Sequence, residues 1–343
     1  MTDGPQLPVP AVPVGVPVDP AEIAEQAKAY AAASQATNTQ LAYSSDWRTF
    51  QAWCDLQGAV AMPTTPATVA AFLVATAGVV AVTTQRRRLS AIQDAHKRAG
   101  HHLDLSGGPF REVWSGIRRV HGRPPTKKSA LMTAALRHAI EALPDTLAGT
   151  RDRALLLLGF AGALRRTELA AIEVSSRPSA AAWVEEGEDG LTVYLARSKG
   201  DQEGVGQRIG IPYGSNLKTC PVRAWRAWLQ VAGITEGPAF RAVSRHGHLG
   251  EEAMCDHSVA LIIKRTISAG AIANGASTEE AALMAKSYGG HSLRRGLATS
   301  AARNKVAAHL IQQQLRHKKY DTTAGYIQEA QLLQENAAGL VGL

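Results

Sequence analysis

The sequence is poor in the features that mark secreted and membrane proteins. Its 343 residues include three cysteines, Cys54, Cys220 and Cys255, which form neither a CxxC motif nor an even-numbered disulfide framework. No apolar run approaches the ~20 residues that a membrane-spanning helix needs. The N-terminus also lacks the basic and then apolar pattern of a signal peptide. We therefore expect a protein of a reducing cytoplasm that does not associate with membranes.

Acidic residues are outnumbered by basic ones. Lys plus Arg number 37 against 29 Asp plus Glu, which gives a formal net charge of +8. Such an excess favours a polyanionic partner, because each phosphate that the protein neutralises releases counterions. Charge alone does not identify nucleic acid, since many basic proteins bind none. The length is typical of two domains, each large enough to bury its own core.

The N-terminal part of the chain has a helical pattern. Residues 1–20 alternate Pro and Val with little charge, which is typical of a disordered polyproline II tail. Beyond them, apolar residues recur at helical spacing, and we expect helices at 21–34, 39–56, 109–120 and in two stretches that start near Thr65 and Thr83. The sequence thus predicts a compact α domain over residues 21–121. The segment Gly122-Arg-Pro-Pro-Thr-Lys-Lys-Ser129 breaks any helix, so we place the interdomain linker at 122–130.

The second domain, residues 131–343, mixes helices with one β region. Helices are expected at 131–143, 152–160, 221–231 and 258–269, and Trp225 and Trp228 are predicted core residues. Three strands at 180–185, 191–197 and 207–212 are expected to form a small antiparallel sheet. The predicted fold class is therefore mainly α with a small β-sheet, in which an N-terminal helical bundle precedes a C-terminal α+β domain.

One motif combines an imidazole and a guanidinium at a predicted helix start. His291 and Arg294 follow the flexible Gly289-Gly290 pair, and their spacing of three predicts that both side chains lie on one face of the helix. The start of a helix adds free N–H groups and a partial positive charge. Together these groups make a site for an anion, most naturally a phosphate.

Two further motifs surround this one. His317 comes nine residues before Tyr326, which would lie about a turn inside a helix capped by Asp321 or Thr322. Upstream, Arg165 and Glu168 are again three residues apart. Lys199 stands at the tip of a predicted hairpin. Taken alone, the Arg–Glu pair is typical of helix surfaces and a hairpin lysine of a solubilising charge.

Taken in chain order, these residues resemble the catalytic residues of the tyrosine site-specific recombinases, the phage integrase family. The N-terminal region is similar to the Cre type in particular, and the resemblance runs from about residue 21 to the end. It implies a two-domain DNA clamp and a DNA strand transferase that uses neither metal nor ATP. It also implies a catalytic set composed of Arg165, Glu168, Lys199, His291, Arg294, His317 and Tyr326.

The resemblance assigns these residues roles in transesterification. Tyr326 attacks the phosphorus, which yields a 3′-phosphotyrosyl intermediate and, after strand exchange, a Holliday junction. Arg165 and Arg294 bind the nonbridging oxygens with their forked donors. Lys199 protonates the leaving 5′ oxygen. Because a phenol with a pKa of ~10 is scarcely ionised at neutral pH, the attack also needs help with its proton.

The two histidines supply the remaining contacts that the resemblance implies. His291 assists removal of the phenol proton or hydrogen-bonds the phosphate, and His317 holds the phosphate. The family carries histidine or tryptophan at the position of His317, with tryptophan in Cre itself. Tyr320 lies three residues beyond His317, but the family's spacing selects Tyr326 as the nucleophile.

Candidate DNA contacts lie in both domains and in the linker. The fourth predicted helix carries cations in its first turns, where the macrodipole disfavours them, so an external anion would offset the cost. A solvated basic face or an ordinary charged linker would look similar in sequence. The resemblance places the second and fourth helices in the major groove, together with the start of the helix near His257. The candidates are Ser44, Gln85, Arg86, Arg87, Arg88, Lys127, Lys128, His257, Lys264 and Arg265.

The expected partners are a double-stranded DNA with an inverted-repeat recombination site and three further copies of the chain. The resemblance implies a homotetramer on two duplexes, in which each C-terminal tail docks on a neighbouring protomer. The expected setting is a bacterial cytoplasm, with the protein encoded by the host, a phage or a plasmid and associated with the nucleoid. We expect no cofactor and no metal, since the His246-x-His248 and Cys255-x-His257 spacings lack a second paired knuckle.

Two alternatives remain open from the sequence. A type IB topoisomerase or a telomere resolvase would share the cleavage step but relax or reseal DNA. A non-catalytic DNA-binding protein would share only the basic surface. Recombinant joints between two marked sites distinguish the first alternative, and a covalent protein–DNA adduct distinguishes the second.

Overall fold

The computed structural model of the chain describes residues 19–33, 37–124, 126–177, 179–196, 206–332, 338 and 341. The chain divides between residues 125 and 126 into two compact units. Its described residues are mainly helical and include small β-sheets in the second unit, so the predicted fold class is confirmed. Within these described ranges, no helix is both long enough and apolar enough to cross a bilayer.

The first unit is helical over its described residues. Its helices are α1 (Pro20–Ala33), α2 (Thr37–Gln57), α3 (Pro66–Ala75), α4 (Val82–Arg98) and α5 (Gly108–His121). Helix α3 starts where predicted, because the Thr65 hydroxyl accepts the Thr68 N–H at 3.2 Å and a proline occupies the first helical position. Helix α4 also starts near Thr83, as predicted, but it begins after Ala81 without a side-chain cap, so Thr83 lies inside the helix.

The core of the first unit is aromatic. Phe50 and Phe72 are buried and meet edge to face at 5.2 Å. His96 is also buried, and its ring bridges Ile92 O at 2.8 Å and the Thr64 N–H at 2.9 Å. These contacts fix α4 against α2 and α3 and thereby determine which residues of α4 face outward.

The second unit alternates helices with short strands. Its helices are α6 (Thr133–Glu141), α7 (Leu147–Ala161), α8 (Arg166–Ala170), α9 (Pro221–Ala232), α10 (Asp256–Ala273), α11 (Thr278–Lys286), α12 (Ser292–Arg303), α13 (Ala308–Leu315) and α14 (Tyr320–Gln331). Its strands are β1 (Ile172–Glu173), β2 (Ala182–Gly187), β3 (Gly190–Leu195), β4 (Gln207–Pro212), β5 (Arg241–Val243) and β6 (Leu249–Ala253).

The main sheet has the order β1-β2-β3-β4. Its last three strands pair antiparallel, as the sequence predicts, and β1 adds a short parallel edge beside β2. The β5–β6 hairpin was not predicted. Its strands are short, and none of their side chains is fully buried. They therefore lack the alternation of apolar and polar residues that identifies a strand in sequence.

Two hydrophobic clusters hold the second unit together. The larger one surrounds α7 and includes Trp225 and Trp228, whose predicted burial is confirmed. The smaller one joins Ala163, after α7, to α12, α13 and α14 through Ala298, Leu315 and Ala330. Tyr326 packs against this smaller cluster, so the cluster helps to position the polar groups described next.

Candidate active site

Helix α12 places its arginine deep in the second unit. A Cβ on Gly296 would lie 2.0 Å from Leu131 O, so only glycine lets the helix pack this closely. Arg294 is consequently 4% exposed, whereas His291, the N-cap residue, is exposed. The two side chains therefore differ in exposure, and their position on one helix face stays a prediction.

The Arg294 guanidinium is held by main-chain carbonyls. It donates to Ala163 O at 2.7 Å and to Leu315 O. Burial, with the charges of Arg165 and Arg316, lowers its pKa to about 10, while Glu168 and Tyr326 act in the opposite sense. Arg294 thus remains a cation at neutral pH.

Arg165 and Glu168 form the predicted pair at the start of α8. Arg165 is the N-cap residue, and Glu168 accepts its backbone N–H at 2.9 Å and its Nη1 at 2.5 Å. The same carboxylate accepts Arg316 Nη2 at 2.7 Å. Glu168 is buried, so its charge is compensated by two guanidinium groups rather than by water.

His317 lies in the turn between α13 and α14. Its Nδ1 is 2.9 Å from Thr323 Oγ1, and its ring stacks on Tyr326 with centroids 5.9 Å apart and planes 13° from parallel. Burial, and then the charges of Arg294, Arg165 and Arg316, lower its pKa to about 4. His317 is therefore neutral at pH 7.

Tyr326 lies six residues after the start of α14. This is about one and a half turns rather than one. Helix α14 begins at Tyr320 after Lys319, so Asp321 and Thr322, expected as caps, lie inside its first turn. The Arg295 guanidinium lies over the Tyr326 ring, 5.9 Å from its centroid.

The structure brings five of the predicted residues close enough to interact: Arg165, Glu168, Arg294, His317 and Tyr326. Three guanidinium groups surround one carboxylate there, which leaves an excess of positive charge suited to an anion. An open groove of about 430 Å³ adjoins the set, lined by Gln207, Arg208, His309, Gln312, Gln313, Arg316, His317 and Lys318. Lys199 belongs to residues 197–205, which lie outside those that the structure describes.

Sequence reasoning missed three side chains at this site. Arg316 binds Glu168, Arg295 covers the Tyr326 ring, and Thr323 contacts the His317 ring. None of the three has a local signal in the sequence, because each side chain contacts a residue on another element of the fold.

Comparison with known proteins decides the family. The chain is 36% identical over 308 residues to the integrase/recombinase XerD homologue of Selenomonas ruminantium, which covers 89% of this chain and 85% of the relative. The chain belongs to the tyrosine recombinase family. It is therefore a site-specific DNA recombinase. No family model matches the sequence.

Solved structures share the fold of this recombinase. The XerH recombinase in its post-cleavage complex with a palindromic difH substrate matches with a TM-score of 0.54 and 14% identity, covering 82% of this chain and 74% of that one. A lambda integrase tetramer bound to a Holliday junction matches with a TM-score of 0.53 and 16% identity, covering 89% and 76%.

Gln85 was predicted to contact DNA, and the structure contradicts this. The side chain is fully buried, and its amide nitrogen donates to Leu73 O at 2.8 Å and to Thr76 Oγ1 at 3.1 Å. Gln85 therefore ties the start of α4 to the end of α3 and offers no group to the surface.

The neighbouring arginines differ in exposure. Arg86 is exposed, as is Ser44 on α2. Arg87 forms a bidentate pair with Asp46, at 2.6 and 3.1 Å, while its side chain stays 50% exposed. Arg88 lies largely buried over the Phe72 ring. Asp46 thus neutralises part of the basic run, in which Arg86 and Arg87 are exposed.

Lys127 and Lys128, two predicted DNA contacts, are exposed and interact with other residues of the second unit. Lys127 pairs with Glu329 at 3.3 Å, and Lys128 donates to Lys286 O at 2.7 Å. Both side chains can exchange these contacts for a phosphate, because neither ammonium is enclosed.

The remaining candidates lie on α10. His257 is exposed in its first turn, and Lys264 is half-buried. Arg265 is exposed but pairs with the buried Asp152, which Arg151 also binds, so it has a structural role in this recombinase. No group of three or more His, Cys, Asp or Glu side chains suited to a metal ion occurs among the described residues.

Proposed function

We propose that this recombinase cleaves DNA with Tyr326 and retains the broken end as a 3′-phosphotyrosyl ester. The observation that carries the proposal is the stack of Tyr326 on His317 near two anchored arginines. Arg165 binds the Glu168 carboxylate, and Arg294 binds Ala163 O. A phenol at the edge of a buried cationic cluster is suited to attack a phosphodiester.

The reaction balances without an external cofactor. The Tyr326 oxygen forms a bond to phosphorus, the bond from phosphorus to the 5′ oxygen breaks, and the phenol proton is released. His291 accepts that proton or hydrogen-bonds the phosphate, and Lys199 supplies a proton to the 5′ oxygen. Attack by a 5′-hydroxyl of the partner duplex reverses each step, so the phosphodiester energy is retained.

The cationic cluster stabilises the charge that develops on the nonbridging oxygens. Arg165 and Arg294 are the donors, and both are anchored before DNA arrives, so little reorganisation accompanies the reaction. A neutral His317 complements them. If Thr323 donates its hydroxyl proton to Nδ1, the Nε2–H of His317 points its donor at the phosphate.

The proposed substrate is a duplex with inverted repeats that binds two copies of the chain, and the proposed active assembly is a homotetramer on two duplexes. Related proteins support this, since XerH is seen on a palindromic substrate and lambda integrase as a tetramer on a Holliday junction. The basic excess of the chain supports DNA binding independently. The predicted docking tail falls mostly outside the described residues.

The test is a covalent trap. A pool of nicked duplexes with randomised flanks is incubated with the protein, so that cleavage releases a short fragment and prevents religation. We expect adducts that survive denaturation, resist EDTA and are enriched for one sequence. Joining of two copies of that sequence should then give recombinant products rather than relaxed circles alone.

The matched variants are Tyr326→Phe and Tyr320→Phe, both in α14. Tyr320 is 53% exposed at the start of the helix and has no stacked histidine partner among the described ring contacts. We expect the adduct to vanish in Tyr326→Phe and to persist in Tyr320→Phe. Equal adduct formation by Tyr326→Phe and the parent would contradict the proposal.

A further inference from the structure

Arg316 adopts a backbone conformation that suits glycine. It ends α13 with φ 55° and ψ 43°, in the left-handed region where a Cβ is strained. Glycine at this position would close the helix without strain. The side chain must therefore supply an interaction that offsets the strain.

The Arg316 side chain crosses to the turn before α8. It donates to Glu168 Oε2 at 2.7 Å, to Gly162 O at 3.0 Å and to Ala163 O at 3.3 Å, and only 5% of the side chain is exposed. One guanidinium thus joins the turn that carries His317 to the turn that carries Arg165.

The second turn is strained in the same way. Ala163 is fully buried with φ 47°, and its carbonyl accepts from both Arg316 and Arg294. Arg294 also donates to Leu315 O, next to Arg316. Two left-handed turns are therefore cross-linked by two guanidinium groups, an arrangement typical of sites where strain fixes geometry.

The Arg316 guanidinium is directed at protein acceptors. Its terminal nitrogens bind Glu168 and two carbonyls, and its Nε is buried without a partner among the described groups. Desolvation lowers the pKa of Arg316, and the charge of Glu168 opposes that shift. The contacts that offset this desolvation are therefore made within the protein.

We propose that Arg316 is a positioning residue for strand cleavage, which holds Glu168 against Arg165 and fixes the turn that presents His317 to Tyr326. This inference rests on the proposed function, since a positioning role for Arg316 requires that Tyr326 cleaves DNA at this site. Arg316 touches Glu168 and two carbonyls and need not touch DNA.

The test compares Arg316→Gly, Arg316→Lys and a control, Lys305→Gly. Lys305 is exposed and follows α12 with φ 56°, so the control also removes one cation and one strained non-glycine residue, away from the site. Three quantities are measured: the thermal midpoint, adduct formation at saturating nicked duplex from the trap above, and the titration of His317 by NMR in the DNA-free protein.

We expect Arg316→Gly to stay folded and to form the adduct about 10²-fold more slowly at saturating DNA, with an unchanged half-saturating concentration. Arg316→Lys should recover part of the rate, and Lys305→Gly should stay within about twofold of the parent. The His317 titration midpoint should rise by about one pH unit or more in Arg316→Gly alone, because a nearby cation is lost and water enters.

A purely structural Arg316 would lower the thermal midpoint and leave the rate per folded molecule and the His317 titration unchanged, which would overturn the inference. If Arg316→Gly does not fold, a parental rate in Arg316→Lys overturns it. If the parent forms no adduct with any duplex, the proposed function fails, and an unaltered His317 titration in the folded variants would then overturn the positioning role separately.

Discussion

Two regions of this recombinase carry adjacent cations in sequence and use them differently. On α4, Arg86 is exposed, and Arg87 and Arg88 pair with the buried Asp46. At the turn after α13, Arg316 is buried and reaches Glu168, far away in sequence. Partners and burial, rather than charge, distinguish the basic residues of α4, whose contact with DNA stays a prediction, from the arginines that we propose to hold a phosphate.

The carboxylates show the same contrast. Glu168 is buried and pairs with the guanidinium groups of Arg165 and Arg316, so removal of its charge would leave these cations without a counter-charge. Asp46 is also buried, but its main partner Arg87 is half exposed and can turn to water. Breaking either pair therefore tests how much of each region depends on its acid.

The largest expected effect follows from Glu168→Gln. We expect a loss of about 3–5 kcal/mol in the unfolding free energy of the second unit, because two buried guanidinium groups lose their counter-charge. Asp46→Asn should cost the first unit about 1–2 kcal/mol. Denaturant titration followed by hydrogen exchange, which reports each unit, measures both. Equal costs would remove the distinction between the two regions.

Arginine geometry should matter at one region and little at the other. Arg294→Lys retains the charge but loses the fork that spans Ala163 O and Leu315 O, so we expect adduct formation to slow by about 10²-fold or more at saturating DNA. Arg87→Lys, the matched change on α4, should alter the same rate less than about threefold. If Arg87→Lys slowed adduct formation as much as Arg294→Lys does, α4 would take part in strand cleavage and the distinction between the two regions would be wrong.

Adjacent residues of α4 should separate stability from DNA binding. Gln85→Leu leaves Leu73 O and Thr76 Oγ1 without their donor, so we expect a loss of about 1–3 kcal/mol in stability and unchanged DNA affinity per folded molecule. Arg86→Ala should leave stability within about 0.5 kcal/mol and reduce the salt dependence of DNA binding by about one ion. The reverse pattern would restore Gln85 as a surface contact.

The smallest expected effect is a gradual pH dependence. The folded-state pKa of His317 is about 4, below its ordinary value of about 6.5, so the unfolded chain takes up the proton first. The folded state has the full stability that goes with a neutral His317 above pH ~6.5, and it loses this stability as the pH falls towards 4. His317→Gln should flatten this part of a stability-against-pH curve. A variant that keeps the parental slope would contradict the assignment.

The sequence predicted the parts of this molecule that local pattern determines. Most of the helices, the antiparallel part of the main sheet and the pairing of Arg165 with Glu168 follow from periodicity, turn residues and spacing, whereas α11 and α13 were not predicted. The family resemblance, confirmed by comparison, then supplied the order of the site residues. Their individual roles in catalysis stay predictions.

What the sequence did not predict depends on contacts between distant residues. Gln85 looked like a surface residue until α3 covered it, and Arg316 looked like one more cation until Glu168, Gly162 and Ala163 became its partners. The burial of Arg294 depends on how closely Gly296 lets α12 pack against Leu131. None of these contacts has a local signature, since each joins residues that only the fold brings together.

The most direct measurement of the central claim is mass spectrometry of the trapped adduct after proteolysis and nuclease digestion. We predict that the nucleotide is attached through its 3′-phosphate to the peptide that contains Tyr326, at the Tyr326 oxygen. Attachment at Tyr320 or at any other residue, or through a 5′-phosphate, would contradict the account.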